Sequence, residues 1–401
     1  MPLARGWGFN GVGGHLKRTV AHVLIAGTST RAAAESAAKA GCVVTAIDAF
    51  GDLDQYPSVR ALSLTRDFGM RFTAHAAAQA SREIDCDAVA YLSSFENYPK
   101  AVAALTARRA LWGNSPEVLR RVRDPFLVAE SLRRRGFATP AARGQPTAST
   151  EWIVKPVRSG GGQGVRRWRD DASVPRRSYV QEFVEGTAAS IVFVAARRQA
   201  VPLGVSQQLI GESAFGTSAY RYCGNVLVPD GTADIDAALD AACALARAVA
   251  EEFDLVGVNG IDFIIRDGVP YPIEINPRWS SSMELVERAY GVSVFGVHMA
   301  ACVDGVLPSF DLGRARAGSP ACGKAIVFAR EDTIVGDTRG WLDDSTMRDV
   351  PRAGELIAAG QPICTVFAER TDADECRAAL MQRAGGVYAA VTASSQAGSA
   401  R

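Results

Sequence analysis

The apolar residues of the first hundred positions come in short runs separated by small-residue segments. His22 to Gly27 reads as a buried strand. Thr28 to Gly41 follows as a helix, opened by hydroxyl residues and closed by glycine. Cys42 to Asp48 is the next strand, and Asp87 to Leu92 another, leading into Ser93–Pro99. Strand, helix and strand in this order predict a β-α-β unit of an open parallel sheet. Farther on, Phe126 to Arg135 reads as a helix stopped by Gly136, and Ile235 to Phe253 as an alanine-rich amphipathic helix. Gly323–Ala329 is a strand, and Pro351–Ala368 holds two short strands about Gly360-Gln361-Pro362. Asp372–Gly385 is a closing helix, and the tail from Ser394 is expected to fray.

Gly257 to Arg278 carries the sharpest pattern, two apolar strands around Asp267-Gly268. Side chains alternate faces along a strand, so Glu274 and Asn276 share one face. A three-residue loop, Arg266-Asp267-Gly268, would place Ile261, Phe263, Ile265, Tyr271, Ile273 and Ile275 together on the apolar face. Asp262 would then lie diagonally across from Glu274. A two-residue loop would set Ile273 opposite Asp262 and mix the faces, which favours the odd length. Two carboxylates about 4 Å apart repel by roughly 4 kcal/mol at an effective dielectric of about 20. A hard cation such as Mg²⁺ (or Mn²⁺) relieves that, taking oxygens from side chains and from phosphates. The competing reading is a solvated hairpin edge, but Asn276-Pro277-Arg278 follows with no polar relief on the other face.

Two upstream segments gain meaning beside this hairpin. In Trp152 to Val165 a short strand ends at Lys155-Pro156 and leads into Ser159-Gly160-Gly161-Gly162-Gln163-Gly164. Glycines let backbone N–H groups wrap phosphate oxygens, and Lys155 adds a point charge. No Gly-Lys-Ser/Thr follows, and Val165–Trp168 looks like a returning strand, so neither a Walker loop nor a dinucleotide fingerprint is present. Taken alone, the loop could equally be a plain hairpin turn. Ser178 to Thr187 ends in Glu182-Phe183-Val184-Glu185-Gly186. It offers backbone groups to an adenine edge and carboxylates to an amino group and a ribose, or else is an ordinary strand end.

The order of these pieces and the Glu-Ile-Asn-Pro-Arg element resemble the ATP-grasp superfamily over roughly residues 115–310. The resemblance implies α/β and α+β architecture, with an open parallel-sheet domain at 1–115 and a two-lobed ATP-grasp region at 116–310, its glycine-loop lobe at about 140–190. A small carboxyl-terminal α+β subdomain at 311–401 resembles the one appended to biotin-carboxylase-like chains. It further implies ATP held by Lys155, Ser159, Gly160, Gly161, Gly162, Gly164, Glu182, Phe183, Val184 and Glu185, and Mg²⁺ held by Asp262, Glu274 and Asn276. Arg278 and Lys155 would be catalytic, with Arg278 facing an acyl phosphate or the incoming carboxylate. Where the family places an early lysine, this chain has Arg120-Arg121-Val122-Arg123-Asp124-Pro125, and Arg123 or Arg120 takes its place.

The implied reaction is an ADP-forming carboxylate–amine ligation in which the protein positions groups and excludes water. The preceding domain would build the acceptor pocket. Ser29, Thr30 and Arg31 stand where a helix N-terminus attracts a carboxylate, although Arg31 reads equally as a surface helix residue. Glu96 is a substrate-amine partner or a loop cap. Arg221, in the segment Val205–Asn225, is a phosphate neutraliser or part of a surface loop. Gly27–Ser36 and Asp48–Asp54 resemble a branch described only as predicted ATP-dependent carboligases, whose members accompany genes of methanopterin-linked one-carbon metabolism. That implies a glutamyl or similar ligase of pterin- or furan-cofactor synthesis. A carboxylase component, a kinase-like enzyme and a non-catalytic nucleotide-binding regulator are the alternatives; no Ala-Met-Lys-Met-like biotin-acceptor stretch occurs.

Composition narrows the partners. The 401 residues carry 44 basic and 43 acidic side chains, so no bulk pull toward nucleic acid or membrane arises. Small-molecule carboxylate and amine substrates fit, with a homodimer as the default of the class. The eight cysteines have no metal-ligand spacing and four scattered histidines add no zinc signature. No run reaches membrane length, and a reducing cytoplasm is expected.

Overall fold

The computed structural model describes residues 20–147, 151–169 and 173–399. The expected parallel sheet is present with five strands in the order Val59–Ser63, Val43–Asp48, His22–Ala26, Ala88–Tyr91, Ala110–Leu111. Val23, Leu24, Ile25 and Ala26 are wholly buried, consistent with a strand covered on both faces. The first helix starts at Arg31, three residues later than expected. Its N-cap Thr30 does not cap through its side chain; the hydroxyl donates to Asp48 Oδ2 at 2.8 Å instead.

A small antiparallel sheet orders Ala142–Arg143, Ser178–Glu182, Trp152–Pro156 and Arg166–Arg167. It faces an eight-stranded antiparallel sheet running Val269–Asn276, Gly257–Arg266, Thr187–Ala196, Gln199–Ile210, Tyr222–Leu227, Ala321–Phe328, Pro362–Arg370, Met347–Arg348. The boundary drawn at residue 310 therefore crosses one continuous hydrogen-bonded sheet. Helix Ala233–Phe253 buries Ala238, Ala242, Leu245, Val249 and Phe253 against it.

The hairpin turn corrects the sequence expectation. Arg266 pairs with Val269, so the loop is the two-residue Asp267-Gly268. Both have positive φ, 52° and 73°, which is the primed turn that Asp-Gly favours. The register shifts between Asp262 and Phe263, where Ile273 is the extra residue of a bulge. The bulge restores the phase that the short loop would have lost. Asp262 lies directly opposite Glu274, and Ile261, Phe263, Ile265 and Ile275 enter the core at about 2 kcal/mol each. Tyr271 and Ile273 are left outside it.

The last helix is also longer than expected, Ala373–Ser399, passing through Gly385-Gly386. Cys376, Leu380, Ala384, Val387 and Val391 are buried against the sheet, which outweighs about 1 kcal/mol per interior glycine. The tail expected to fray is helical through Ser399, and residues 400–401 lie outside the described residues. All eight cysteines are free, and among the described residues no helix is long and apolar enough to cross a membrane.

Candidate active site

A cavity of about 600 Å³ opens between the two antiparallel sheets and reaches the edge of the parallel one. Its wall holds Asp262, Glu274, Asn276, Arg278, Lys155 and Arg123. Strand pairing places Asp262 across from Glu274, and Asn276 Nδ2 donates to Asp262 Oδ2 at 2.9 Å. Burial first, and then the neighbouring Glu274, pushes the Asp262 carboxyl up to about 7. Glu274 stays below the ordinary range, because Arg123 and Lys155 outweigh its desolvation.

Of the two arginines that the sequence offered, Arg123 is the one on the cavity wall. It caps the helix Pro116–Val122 and turns inward, donating Nη1 to Glu274 Oε1 at 2.6 Å and to the Ile275 carbonyl at 3.1 Å. Its Nη2 reaches Asn97 Oδ1 at 3.0 Å and the Ser159 carbonyl at 3.3 Å. Arg120 is exposed and pairs with Glu117 at 3.2 Å. Pro125 stands at the first turn of the next helix, whose N-cap is Asp124.

Lys155 is buried and spans the two sheets, donating Nζ to Gln181 Oε1 at 3.2 Å and to the Ile273 carbonyl at 3.0 Å. Ser159, Gly160, Gly161 and Gly162 line the cavity, and Gly164 does not. The loop is docked: Tyr222 N–H donates to the Gly161 carbonyl at 3.1 Å. A Cβ on Gly162, at φ +72°, would lie 1.7 Å from the Tyr220 carbonyl oxygen.

Glu182, Phe183 and Val184 line the cavity, whereas Glu185 is exposed and outside its wall. Glu182 Oε2 accepts the Ala141 N–H at 3.0 Å, and the Arg167 guanidinium stacks 3.4 Å from the Phe183 ring centre. Arg278 donates Nη2 to Glu96 Oε1 at 2.8 Å and to Asn276 Oδ1 at 3.3 Å. This ties the parallel-sheet domain to the hairpin.

The remaining acceptor expectations divide. Ser29 is exposed and lines the cavity; Thr30 is buried and does not. Arg31 is neither a surface residue nor a free anion site. It is 1% exposed and bound by Asp349 at 2.7 Å, Glu284 at 2.8 Å, Glu35 at 3.3 Å and Asp54 at 3.6 Å. Arg221 stacks on Phe328, 4.8 Å from the ring centre, and is absent from the cavity wall. Sequence reasoning did not single out Asn97, Gln181, Glu284, Lys324 or Asp349; only Gln181 lies in a segment read as a motif, Ser178–Thr187.

The residues present fit a magnesium nucleotide. Arg123 Nε, Arg278 Nε and Glu96 Oε2 are buried without a partner, as groups awaiting a ligand are. In the glycine loop, Gly162 leaves no room for a side chain against Tyr220. Among the described residues no group of three His, Cys, Asp or Glu side chains is placed to hold a metal ion, so an ion here would rely on two carboxylates and an amide. Mg²⁺ accepts such a set when phosphates supply further oxygens.

Residues 122–282 match the ATP-grasp domain family. An uncharacterized protein of Methanocaldococcus jannaschii is 22% identical over 382 residues, 89% of each chain. The L-amino acid ligase of Bacillus licheniformis shares the fold with a TM-score of 0.66 at 18% identity, over 91% of this chain and 97% of that one. The N5-carboxyaminoimidazole ribonucleotide synthetase of Thermotoga maritima superposes with a TM-score of 0.63 at 13% identity, over 91% and 98%. The biotin carboxylase of Campylobacter jejuni does so with a TM-score of 0.66 at 12% identity, over 90% of each chain.

Proposed function

We propose, for a chain that belongs to the ATP-grasp superfamily, an ATP- and Mg²⁺-dependent ligase that activates a carboxylate as an acyl phosphate and passes it to an amine, releasing ADP and phosphate. The observation that carries this reading is the meeting of Asp262 and Glu274 with Lys155, Arg123 and Arg278 in one cavity. Asp262, Glu274 and Asn276 would hold Mg²⁺, which when bound offsets phosphate charge. Lys155, Arg123 and the main-chain N–H groups of 160–162 would bind phosphate oxygens. Glu182 and the backbone at Phe183–Val184 would hold adenosine. Arg278, fixed by Glu96, would orient the donor carboxylate. The docked glycine lid would keep water from the activated carboxyl group. The fold shared with an L-amino acid ligase and an N5-carboxyaminoimidazole ribonucleotide synthetase supports a carbon–nitrogen ligase. The narrower reading, a glutamyl or similar ligase of one-carbon cofactor synthesis, draws on the pattern at Gly27–Ser36 and Asp48–Asp54.

The test is ADP release from ATP and Mg²⁺ with mixtures of carboxylates and amines, with products read by mass spectrometry. An amide formed with ADP supports the ligase. A stable phosphoester identifies a kinase, a carboxylated acceptor a carboxylase, and nucleotide binding without turnover a regulator.

A further inference from the structure

The turn that follows the strand Ala88–Tyr91 reaches two ways. Phe95–Asn97 forms a single 3₁₀ turn, and all three residues are buried. Glu96 Oε1 accepts Arg278 Nη2 at 2.8 Å, which fixes the arginine proposed to orient the carboxylate. Its neighbour Asn97 points to the glycine lid, donating Nδ2 to the Ser159 carbonyl at 3.4 Å. Arg123 Nη2 donates to the same carbonyl at 3.3 Å and to Asn97 Oδ1 at 3.0 Å. Amide, guanidinium and carbonyl thus close a ring of three hydrogen bonds. The adjoining residues add a second contact. The Arg158 guanidinium lies 5.5 Å from the Tyr98 ring centre, and Tyr98 packs edge-on against His75 at 5.6 Å.

The lid is therefore held from two sides. The eight-stranded sheet holds Gly161 through the Tyr222 N–H, and the parallel-sheet domain holds Ser159. An amide suits position 97, because one atom must accept from a guanidinium while the other donates to a carbonyl. A carboxylate there would keep the first contact, strengthened by charge, and would set an oxygen against the Ser159 carbonyl. The link runs further, since Arg123 Nη1 donates to Glu274 Oε1 at 2.6 Å. Lid, parallel-sheet domain and hairpin carboxylate meet at one guanidinium.

We propose that Asn97 is a positioning residue for the glycine lid, holding Ser159 in its docked place and the Arg123 guanidinium between the lid and Glu274. The parallel-sheet domain then sets the lid: a shift of the Phe95–Asn97 turn moves Arg278 through Glu96 and Ser159 through Asn97 together. Losing the amide contact should lower the docked population about three- to tenfold, the span of one hydrogen bond's net contribution. That the lid covers phosphates rests on the ligase reading; the contact itself does not.

The test is limited trypsin digestion of the full chain, with cleavage sites and rates read by mass spectrometry. Cleavage after Arg158 and Arg166 reports an undocked lid, and cleavage after Arg339, whose side chain is 82% exposed, is the internal standard. In Asn97→Ala and Asn97→Asp, cleavage in the lid should quicken about three- to tenfold relative to Arg339, with melting temperatures near the parent's. Stopped-flow release of a non-hydrolysable ATP analogue with Mg²⁺ should quicken by a similar factor in Asn97→Asp, which keeps the Arg123 contact. If neither variant folds, Tyr98→Leu, which removes the ring beneath Arg158, should quicken lid cleavage about two- to threefold. Parent-like lid cleavage in Asn97→Asp, or in Tyr98→Leu where that variant stands in, overturns the proposal, as does equal quickening in the lid and after Arg339. A parent that does not bind the analogue, or unchanged release beside quickened lid cleavage, counts instead against the ligase reading, and the digestion still decides the proposal.

Discussion

Replacing Gly162 with alanine tests the lid at its tightest point. The added methyl would sit 1.7 Å from the Tyr220 carbonyl oxygen and 2.6 Å from its carbon, both backbone atoms that cannot swing aside. The left-handed backbone at φ +72° costs alanine a further ~1–2 kcal/mol that glycine does not bear. The conformational cost alone lowers the docked population by about 5- to 30-fold, and the overlap adds to it. If the docked lid holds phosphates, affinity for a non-hydrolysable ATP analogue should fall by at least that factor. Gly160→Ala is the matched control, since a Cβ there meets nothing within 4 Å and its backbone lies outside the left-handed region. Calorimetry with Mg²⁺ present measures both, and the melting temperatures of both should stay near the parent's because little of the core is involved. Trypsin cleavage near Arg158 and Arg166 reports docking independently and should quicken only in Gly162→Ala. Parent-like binding by Gly162→Ala, or equal losses in the two variants, would refute the reasoning.

Three further outcomes follow from named contacts. Arg123→Ala removes the cation beside the half-buried Glu274 carboxylate and should destabilise the chain by about 1–3 kcal/mol while weakening nucleotide binding, with Arg123→Lys in between; urea unfolding and calorimetry check this. Arg31→Met leaves Asp349, Glu284 and Asp54 without their shared cation and should lower the melting temperature by roughly 5 °C or more in a thermal scan. His298 is buried, accepts the Val258 N–H on Nδ1 at 3.0 Å, and is held by burial down to about 4. The unfolded chain takes up this proton below about pH 6.5 and the folded chain does not until about 4. The stabilisation is thus complete above about 6.5 and is lost as pH falls toward 4, by up to about 1.4 kcal/mol per pH unit. Unfolding at pH 7 and pH 5 should show a steeper loss for the parent than for His298→Asn.

The convergence of the residues proposed to hold the nucleotide was largely legible because their placement is local. Lys155, the glycine run and the Asp262/Glu274/Asn276 alternation each sit on one strand or turn, where period-2 geometry decides which side chains face together. The turn was misjudged because alternation counts residues evenly, and the bulge at Ile273 breaks the count. The longer final helix escaped because Gly385-Gly386 is a stop by propensity, and only the sheet packed against it overrides that. The acceptor end was mostly illegible. Arg31 reads as a surface helix residue until Glu284, Asp349 and Asp54, from distant parts of the chain, close around it. For Arg221 the sequence left a phosphate neutraliser and a surface loop open, because nothing local shows that its guanidinium lies over Phe328.

The central claim is that Asp262, Glu274 and Asn276 hold the metal of a metal–nucleotide complex, and Mn²⁺ binding followed by electron paramagnetic resonance tests it most directly. In the presence of ADP the parent chain should bind Mn²⁺ at a nucleotide-dependent site. Asp262→Asn and Glu274→Gln should each weaken that site by more than about tenfold, the equivalent of ~1.4 kcal/mol. A parent chain without nucleotide-dependent Mn²⁺ binding, or variants that bind the ion as the parent does, would contradict the account.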